Sequence, residues 1–185
     1  MVIRSLTVNA APRFLLTGPP GIGKTTVIVR LASALGPRAA GFYTVEVRDK
    51  GSRVGFKVVT LTGAVGLLAH VNLASPYRVG KYAVDPESLR PALKELTAAL
   101  REENKCLLID EIGRMELFTP GFQELVTLIF KHSLPVVATV PIKSLPFTDS
   151  LKRRTDVTLI TVNRQNRDTL PEAILGHLEK YFSQR

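Results

Sequence analysis

The chain has one cysteine in 185 residues, Cys106, and no tryptophan. A single cysteine excludes a disulfide framework and any cysteine-rich zinc site, and it fits a reducing compartment. His70, His132 and His177 show no metal-ligand spacing. No apolar run approaches the eighteen residues that a membrane-spanning helix needs. Acidic residues are scarce at the start: residues 1–60 hold nine Lys or Arg against Glu46 and Asp49 alone. Such a segment could suggest an organelle transit peptide, but a glycine-rich loop already begins at Gly18, leaving too little room. Thr7 and Asn9 likewise interrupt a secretory apolar core. Residues 1–12 therefore read as a short extension or edge strand, followed by one domain over 13–185. A soluble, cytoplasmic protein is expected.

The remaining composition is ordinary for a globular domain, with 45% hydrophobic and 22% charged residues. The net charge of +9 favours polyanionic partners such as nucleotides. No segment resembles a nucleic-acid module and the basic residues are mostly dispersed, so nucleic acid is not the expected partner. A monomer is expected.

Along the chain, short apolar runs alternate with helical periods. Residues 13–17 read as a buried strand, and Val27, Ile28, Leu31 and Leu35 carry the 3.6-residue period of a helix stopped by Gly36-Pro37. Residues 41–48 and 53–61 alternate with period two around the turn Asp49-Lys50-Gly51-Ser52, which predicts an antiparallel hairpin at about 41–61, as an insert or an edge. Residues 62–84 read as loop with short strands. Leu89, Leu93, Leu96 and Leu100 predict a helix from about Ser88 to Glu103, with Pro91 in its first turn. Residues 106–109, 135–140 and 157–162 read as strands buried on both faces. Helices are expected from a Thr119-Pro120 cap to about His132, and over 169–183. This alternation predicts an α/β fold with a mainly parallel sheet flanked by helices.

Gly18-Pro19-Pro20-Gly21-Ile22-Gly23-Lys24-Thr25 fits the phosphate-loop pattern G-x-x-x-x-G-K-[ST] in full, with Thr26 following. Glycines let backbone N–H groups converge on a phosphate, and the next helix aims its positive end at the same point. Lys24 would reach the β- and γ-phosphates, and Thr25 would ligate Mg2+. Asp110-Glu111 closes a buried strand. Asp110 is placed to hold Mg2+, and Glu111, one residue on, to polarise an attacking water. Thr139 ends the neighbouring strand, where it could meet water or the γ-phosphate, or simply end the strand. The candidates for a further catalytic cation are Arg48, Lys81, Arg114, Arg153, Arg154 and Arg167, with Arg114 favoured for its closeness to Glu111. Lys152-Arg153-Arg154 is the one tight basic cluster, either a cationic lid or a solvated helix face. Asn163, Asn166 and Arg167 lie on a polar loop that could contact the nucleotide, and Phe42 or Tyr43 could stack on its base.

Together these segments resemble the small cancer-related nucleoside-triphosphatase family shared with thermophilic microbes. The resemblance runs from Phe14 to the last helix. It is carried by the loop Thr17 to Thr26, by Gly41-Phe42-Tyr43-Thr44 and Gly80-Lys81-Tyr82, by Asp110-Glu111-Ile112-Gly113-Arg114-Met115-Glu116-Leu117, and by Asn166-Arg167-Asp168. It implies a RecA-like P-loop core and slow, broad, magnesium-dependent hydrolysis of nucleoside triphosphates. It also implies phosphate binding by Gly18–Thr26 and metal and water roles for Asp110 and Glu111. Arg114 stands where the family usually carries Lys, which keeps the charge. The alternative is a nucleotide or small-molecule kinase, in which the hairpin and the 152–154 cluster would shelter an acceptor. A signalling GTPase is disfavoured, because Asn104-Lys105 is followed by Cys106-Leu107 and not by the guanine-reading Asp. Low base selectivity is expected.

Overall fold

The computed structural model describes residues 11–185. The expected extension or edge strand at 1–12 thus lies, for residues 1–10, outside the described residues. Ala11 and Pro12 are buried, and the Pro12 carbonyl accepts a hydrogen bond from the Val136 N–H.

Among the described residues nine strands form one sheet. They are β1 (Arg13–Thr17), β2 (Ala39–Asp49), β3 (Ser52–Thr60), β4 (Val65–His70), β5 (Arg78–Val79), β6 (Tyr82–Val84), β7 (Cys106–Ile109), β8 (Val136–Thr139) and β9 (Thr158–Thr161). Their order is β5-β6-β4-β3-β2-β7-β8-β1-β9. The strands from β2 to β9 in that order are mutually parallel, and β3, β4, β6 and β5 continue antiparallel. The helices are α1 (Lys24–Leu35), α2 (Arg90–Ala99), α3 (Phe122–Ile129), α4 (Pro146–Lys152) and α5 (Leu170–Phe182).

The parallel strands β1, β7 and β8 carry no polar alternation because both faces are covered. At the sheet edge, β9 buries only Ile160 and leaves Leu159 exposed, which corrects the expectation that 157–162 is buried on both faces. In β7, Leu107 and Ile109 join a core with Leu96 of α2 and Phe122, Val126 and Ile129 of α3. Cys106 and Leu108 point the other way, into a second core with Val27, Ile28 and Leu31 of α1 and Ile174 and Leu178 of α5. Successive side chains thus feed opposite layers. Burial pushes the Cys106 thiol pKa upward, as suits a core residue rather than a reactive one.

The hairpin exists, but it is neither an insert nor an edge. The start of β2, Ala39 to Phe42, pairs parallel with β7 (Gly41 against Leu108), while Phe42 to Asp49 pair antiparallel with β3, and β3 in turn pairs with β4. Gly41 is needed for this crowding. Its φ is +135°, and a Cβ there would stand 1.9 Å from the Leu108 carbonyl oxygen. Phe42 is wholly buried, edge-on to Phe122, so the expectation that it borders a nucleotide is corrected. Tyr43 packs on the α1/α5 side.

Two helix starts also differ from expectation. Asp85 caps a 3-10 turn over Pro86–Leu89 by accepting from the Glu87 N–H, and α2 proper begins at Arg90 with Pro91 in its first turn. It ends at Ala99 rather than Glu103. Helix α3 starts from Gly121, whose φ is +80°, while the Thr119 hydroxyl donates instead to the Pro86 carbonyl.

Candidate active site

The loop between β1 and α1 is built for an anion. Helix α1 starts from Gly23 at φ +114° with no side chain capping its first turn and no acidic residue in it. Its leading N–H groups are therefore available to a ligand. Gly18 lies so close to the end of β9 that a Cβ would come within 2.8 Å of the Val162 carbonyl. Lys24 is buried; its ammonium donates to the Gly18 carbonyl at 3.1 Å and sits 3.8 Å from Glu111 Oε2.

Strand β7 delivers Asp110 to the carboxyl edge of the sheet, where the neighbouring strands converge on it. Asp110 is almost fully buried. Its Oδ2 accepts from the Thr25 hydroxyl at 2.8 Å, the Thr44 hydroxyl at 3.2 Å and the Thr44 N–H at 3.3 Å. Its Oδ1 accepts from the Thr139 hydroxyl at 2.7 Å. Thr139 thus lies beside Asp110 as its strand position implies, and its hydroxyl serves the carboxylate. Thr44 was not singled out in the sequence, although the alternation of β2 puts it on the same face as Glu46.

Glu111 follows across a cis peptide bond. Desolvation raises its pKa, the adjacent Lys24 ammonium opposes that rise, and the Asp110 charge adds to it. Glu116 is a second carboxyl that sequence reasoning missed. It sits in a 3-10 turn (Glu116–Phe118), 5% exposed, with Oε2 accepting from the Gly113 N–H. Burial, and then the nearby Glu111 charge, push its pKa up to about 8. Its signal in the sequence was its place five residues after Glu111, within a run otherwise read for Asp110, Glu111 and Arg114.

Oxygen donors alone gather where a cation would be held: the Thr25 hydroxyl and the Asp110 carboxylate. Such a hard donor set, supplemented by phosphate and water, fits Mg2+. Among the described residues no group of three or more His, Cys, Asp or Glu side chains could hold a metal by itself.

A cleft of about 670 Å3 extends from the loop (Gly18, Lys24, Thr25) past Asp110 and Glu111. Arg114 is exposed in its wall. Among the other candidate cations, Arg48 pairs with Glu46, and Lys81 stacks on Tyr82. Lys152 bonds Asp149 and the Pro141 carbonyl, while Arg154 grips Asp156 through two nitrogens and also bonds the Phe130 carbonyl. Arg153 is exposed. The basic cluster is therefore fastened to the body and does not form a lid. Arg167 does reach the loop, 3.5 Å from the Ile22 carbonyl and alongside Gly23. Asn163 and Asn166 do not line the cleft. Asn163 Oδ1 accepts from the Gln165 and Asn166 N–H groups, Asn166 Oδ1 accepts from the Asn163 N–H, and Asn166 Nδ2 donates to the Thr161 carbonyl. These amides shape their own loop.

A parallel sheet with a glycine loop leading from β1 into a helix, and an acidic pair at the end of β7, one strand removed from β1, defines the P-loop class of α/β nucleotide-binding folds. A family model described as NTPase matches residues 13–175. The chain is 46% identical over 164 residues to a protein named nucleoside-triphosphatase THEP1 from Thermotoga petrophila, covering 88% of this chain and 90% of that one. It is 39% identical over 172 residues to a cancer-related nucleoside-triphosphatase homolog from Mus musculus, covering 84% and 90%. The crystal structure of THEP1 from Aquifex aeolicus superposes with a TM-score of 0.83 at 36% identity, covering 90% of this chain and 99% of that one. The chain belongs to this NTPase family.

Proposed function

We propose that this protein hydrolyses nucleoside triphosphates to diphosphate and phosphate, with Mg2+ as cofactor, low base selectivity, and a single chain as the working unit. The observation that carries this reading is the meeting of Lys24, Asp110 and Glu111 at the open N-terminus of α1, with Lys24 Nζ 3.8 Å from Glu111 Oε2. The loop N–H groups and Lys24 bind and orient the phosphates, and Lys24 meets the charge that develops between them. Thr25 and Asp110 are the residues that would hold Mg2+, which when bound neutralises charge on the β- and γ-oxygens. Glu111 accepts a proton from the attacking water as its oxygen bonds the γ-phosphorus. The bond to the β-bridging oxygen breaks, and the diphosphate leaves with the electron pair. A carboxylate raised above its ordinary pKa is the better base for this task.

Every group assigned to phosphate recognition is indifferent to the base. The two amides nearest the expected base position are occupied with their own loop. We therefore expect ATP, GTP, CTP and UTP to be cleaved with kcat/KM values within about two decades of one another. The test is phosphate release from each triphosphate with Mg2+ and with a chelator in its place. A preference for one base above about a thousand-fold, or release that persists in the chelator, overturns this reading.

A further inference from the structure

The cleft reaches past the groups assigned to the triphosphate. Its volume of about 670 Å3 includes the space at Gly18, Lys24 and Thr25 that phosphates would fill, but the cleft continues past Asp110 and Glu111 to β3, β4 and β5, on the other side of β7 from the loop. Its far end has apolar walls at Phe56, Leu68, Val79 and Met115, beside the Glu46–Arg53 ion pair and Glu116. This end lies beyond Glu111, on the side of Lys24 and Asp110 where the terminal phosphate belongs. On the proposed reading the nucleoside lies towards the opposite edge of the sheet, at the loop 163–167 that follows β9; Arg167 lies against Ile22 there, and no residue of 163–167 lines this cleft. A smaller cavity of about 330 Å3 shares Val79 and Arg114 with the cleft and adds Arg78, Gly80, Leu117 and Phe118. Among the described residues neither Arg78 nor Arg114 forms an ion pair. Guanidinium groups free of carboxylate partners at the rim of an apolar chamber match an anion carried on an apolar body.

We propose that this chamber binds a second substrate, an alcohol with an apolar body and an anionic carboxylate or phosphate group, which accepts the γ-phosphoryl group in place of water. The anion lies at Arg78 and Arg114, the body lies along Phe56, Val79 and Met115, and the hydroxyl reaches Glu111. Its oxygen bonds the γ-phosphorus, its proton passes to the Glu111 carboxylate, and the bond to the β-bridging oxygen breaks. The products are a phosphate monoester and a nucleoside diphosphate. Hydrolysis is then the reaction of the site without this acceptor, so the proposal rests on the hydrolytic reading.

The test is 31P NMR of the full chain with ATP and Mg2+, alone and with 3-phenyllactate, 2-hydroxyisocaproate or 6-hydroxyhexyl phosphate. The neutral 2-phenylethanol is the control. The expected result is a new monoester formed at least about tenfold faster than free phosphate, with the neutral alcohol at least about tenfold poorer. Comparing the carboxylates with 6-hydroxyhexyl phosphate tells which anion is read. Arg78→Ala and Val79→Trp should each cut transfer at least about tenfold while leaving acceptor-free phosphate release within about twofold. Arg78 is exposed, so its variant keeps the test valid even if the tryptophan disturbs folding. Steady phosphate release with no monoester from any of the three anionic alcohols overturns the acceptor site and leaves hydrolysis standing. Transfer that Arg78→Ala leaves unchanged also overturns it. If neither phosphate nor monoester appears, the hydrolytic reading fails and the acceptor falls with it.

Discussion

Glu116 makes the stability of this protein depend on pH in a direction opposite to that of most carboxylates. Burial and the nearby Glu111 charge raise its pKa from 4.5 to about 8 in the folded chain. A raised folded pKa means that the native state holds the proton more tightly than the unfolded state. The associated stability is fully present below pH 4.5 and is lost as pH rises through about 8. The interval spans about 3.5 in pH, an upper figure of about 5 kcal/mol at 1.36 kcal/mol per pH unit. Relaxation and water penetration reduce such penalties, so about 2–4 kcal/mol is the working expectation. Glu116→Gln keeps an oxygen for the Gly113 N–H and removes the titration. Urea denaturation at pH 5, 7 and 9 should show the wild type losing stability across the range. The variant should lose about 2–4 kcal/mol less and be the more stable of the two at pH 9. Equal slopes for the two proteins would refute the reasoning, since they would mean that Glu116 titrates alike in both states.

The remaining predictions concern the reaction and the sheet. Lys24→Ala should nearly abolish phosphate release while circular dichroism stays native; retained turnover would move the site elsewhere. Glu111→Gln should still bind nucleotide, measured calorimetrically, and cut kcat by about 10² to 10⁴. Because Glu111 works deprotonated and its pKa is raised, the wild-type rate should fall on acidification with a midpoint above 4.5. The residual rate of Glu111→Gln should lack that limb. Gly41→Ala should cost about 3 kcal/mol or more in urea denaturation, because the new methyl would meet the Leu108 carbonyl at 1.9 Å.

Much of this molecule is legible in its sequence, for reasons that differ from part to part. The strands of the parallel core are short apolar runs closed by turn residues, and burial on both faces is what such runs express. The phosphate loop is local and needs only glycines, Lys24 and a following helix. The acidic pair is a strand end whose role depends on which neighbour lies beside it, and the order β2-β7-β8-β1 supplies the threonines that hold Asp110. Contacts of that kind escape a linear reading. Thr44 and Thr25 are remote in the chain from Asp110, and hydroxyls carry no periodic signal. Phe42 was misread because a strand residue preceding Tyr and Thr shows no sign of which layer it enters. Asn163 and Asn166 looked like base readers because side-chain amides suit a nucleobase and a turn equally well. Lys152-Arg153-Arg154 left a lid and a solvated helix face both open in sequence, because its anchors, Asp149, Asp156 and two backbone carbonyls, bind through side-chain geometry.

The position of β1 carries a consequence for biosynthesis. Among the described residues this strand, which leads into the phosphate loop, pairs only with β8 and β9. Its nearest partner begins at Val136, about 120 residues after Thr17. At about 5–20 residues per second a ribosome needs roughly 6–24 s to supply that partner, and longer for β9. Meanwhile β2, β3, β4 and β7 can already pair among themselves. β1 therefore emerges well before the strands it pairs with, and the loop proposed to hold the nucleotide phosphates is not fixed in place until most of the sheet has been made.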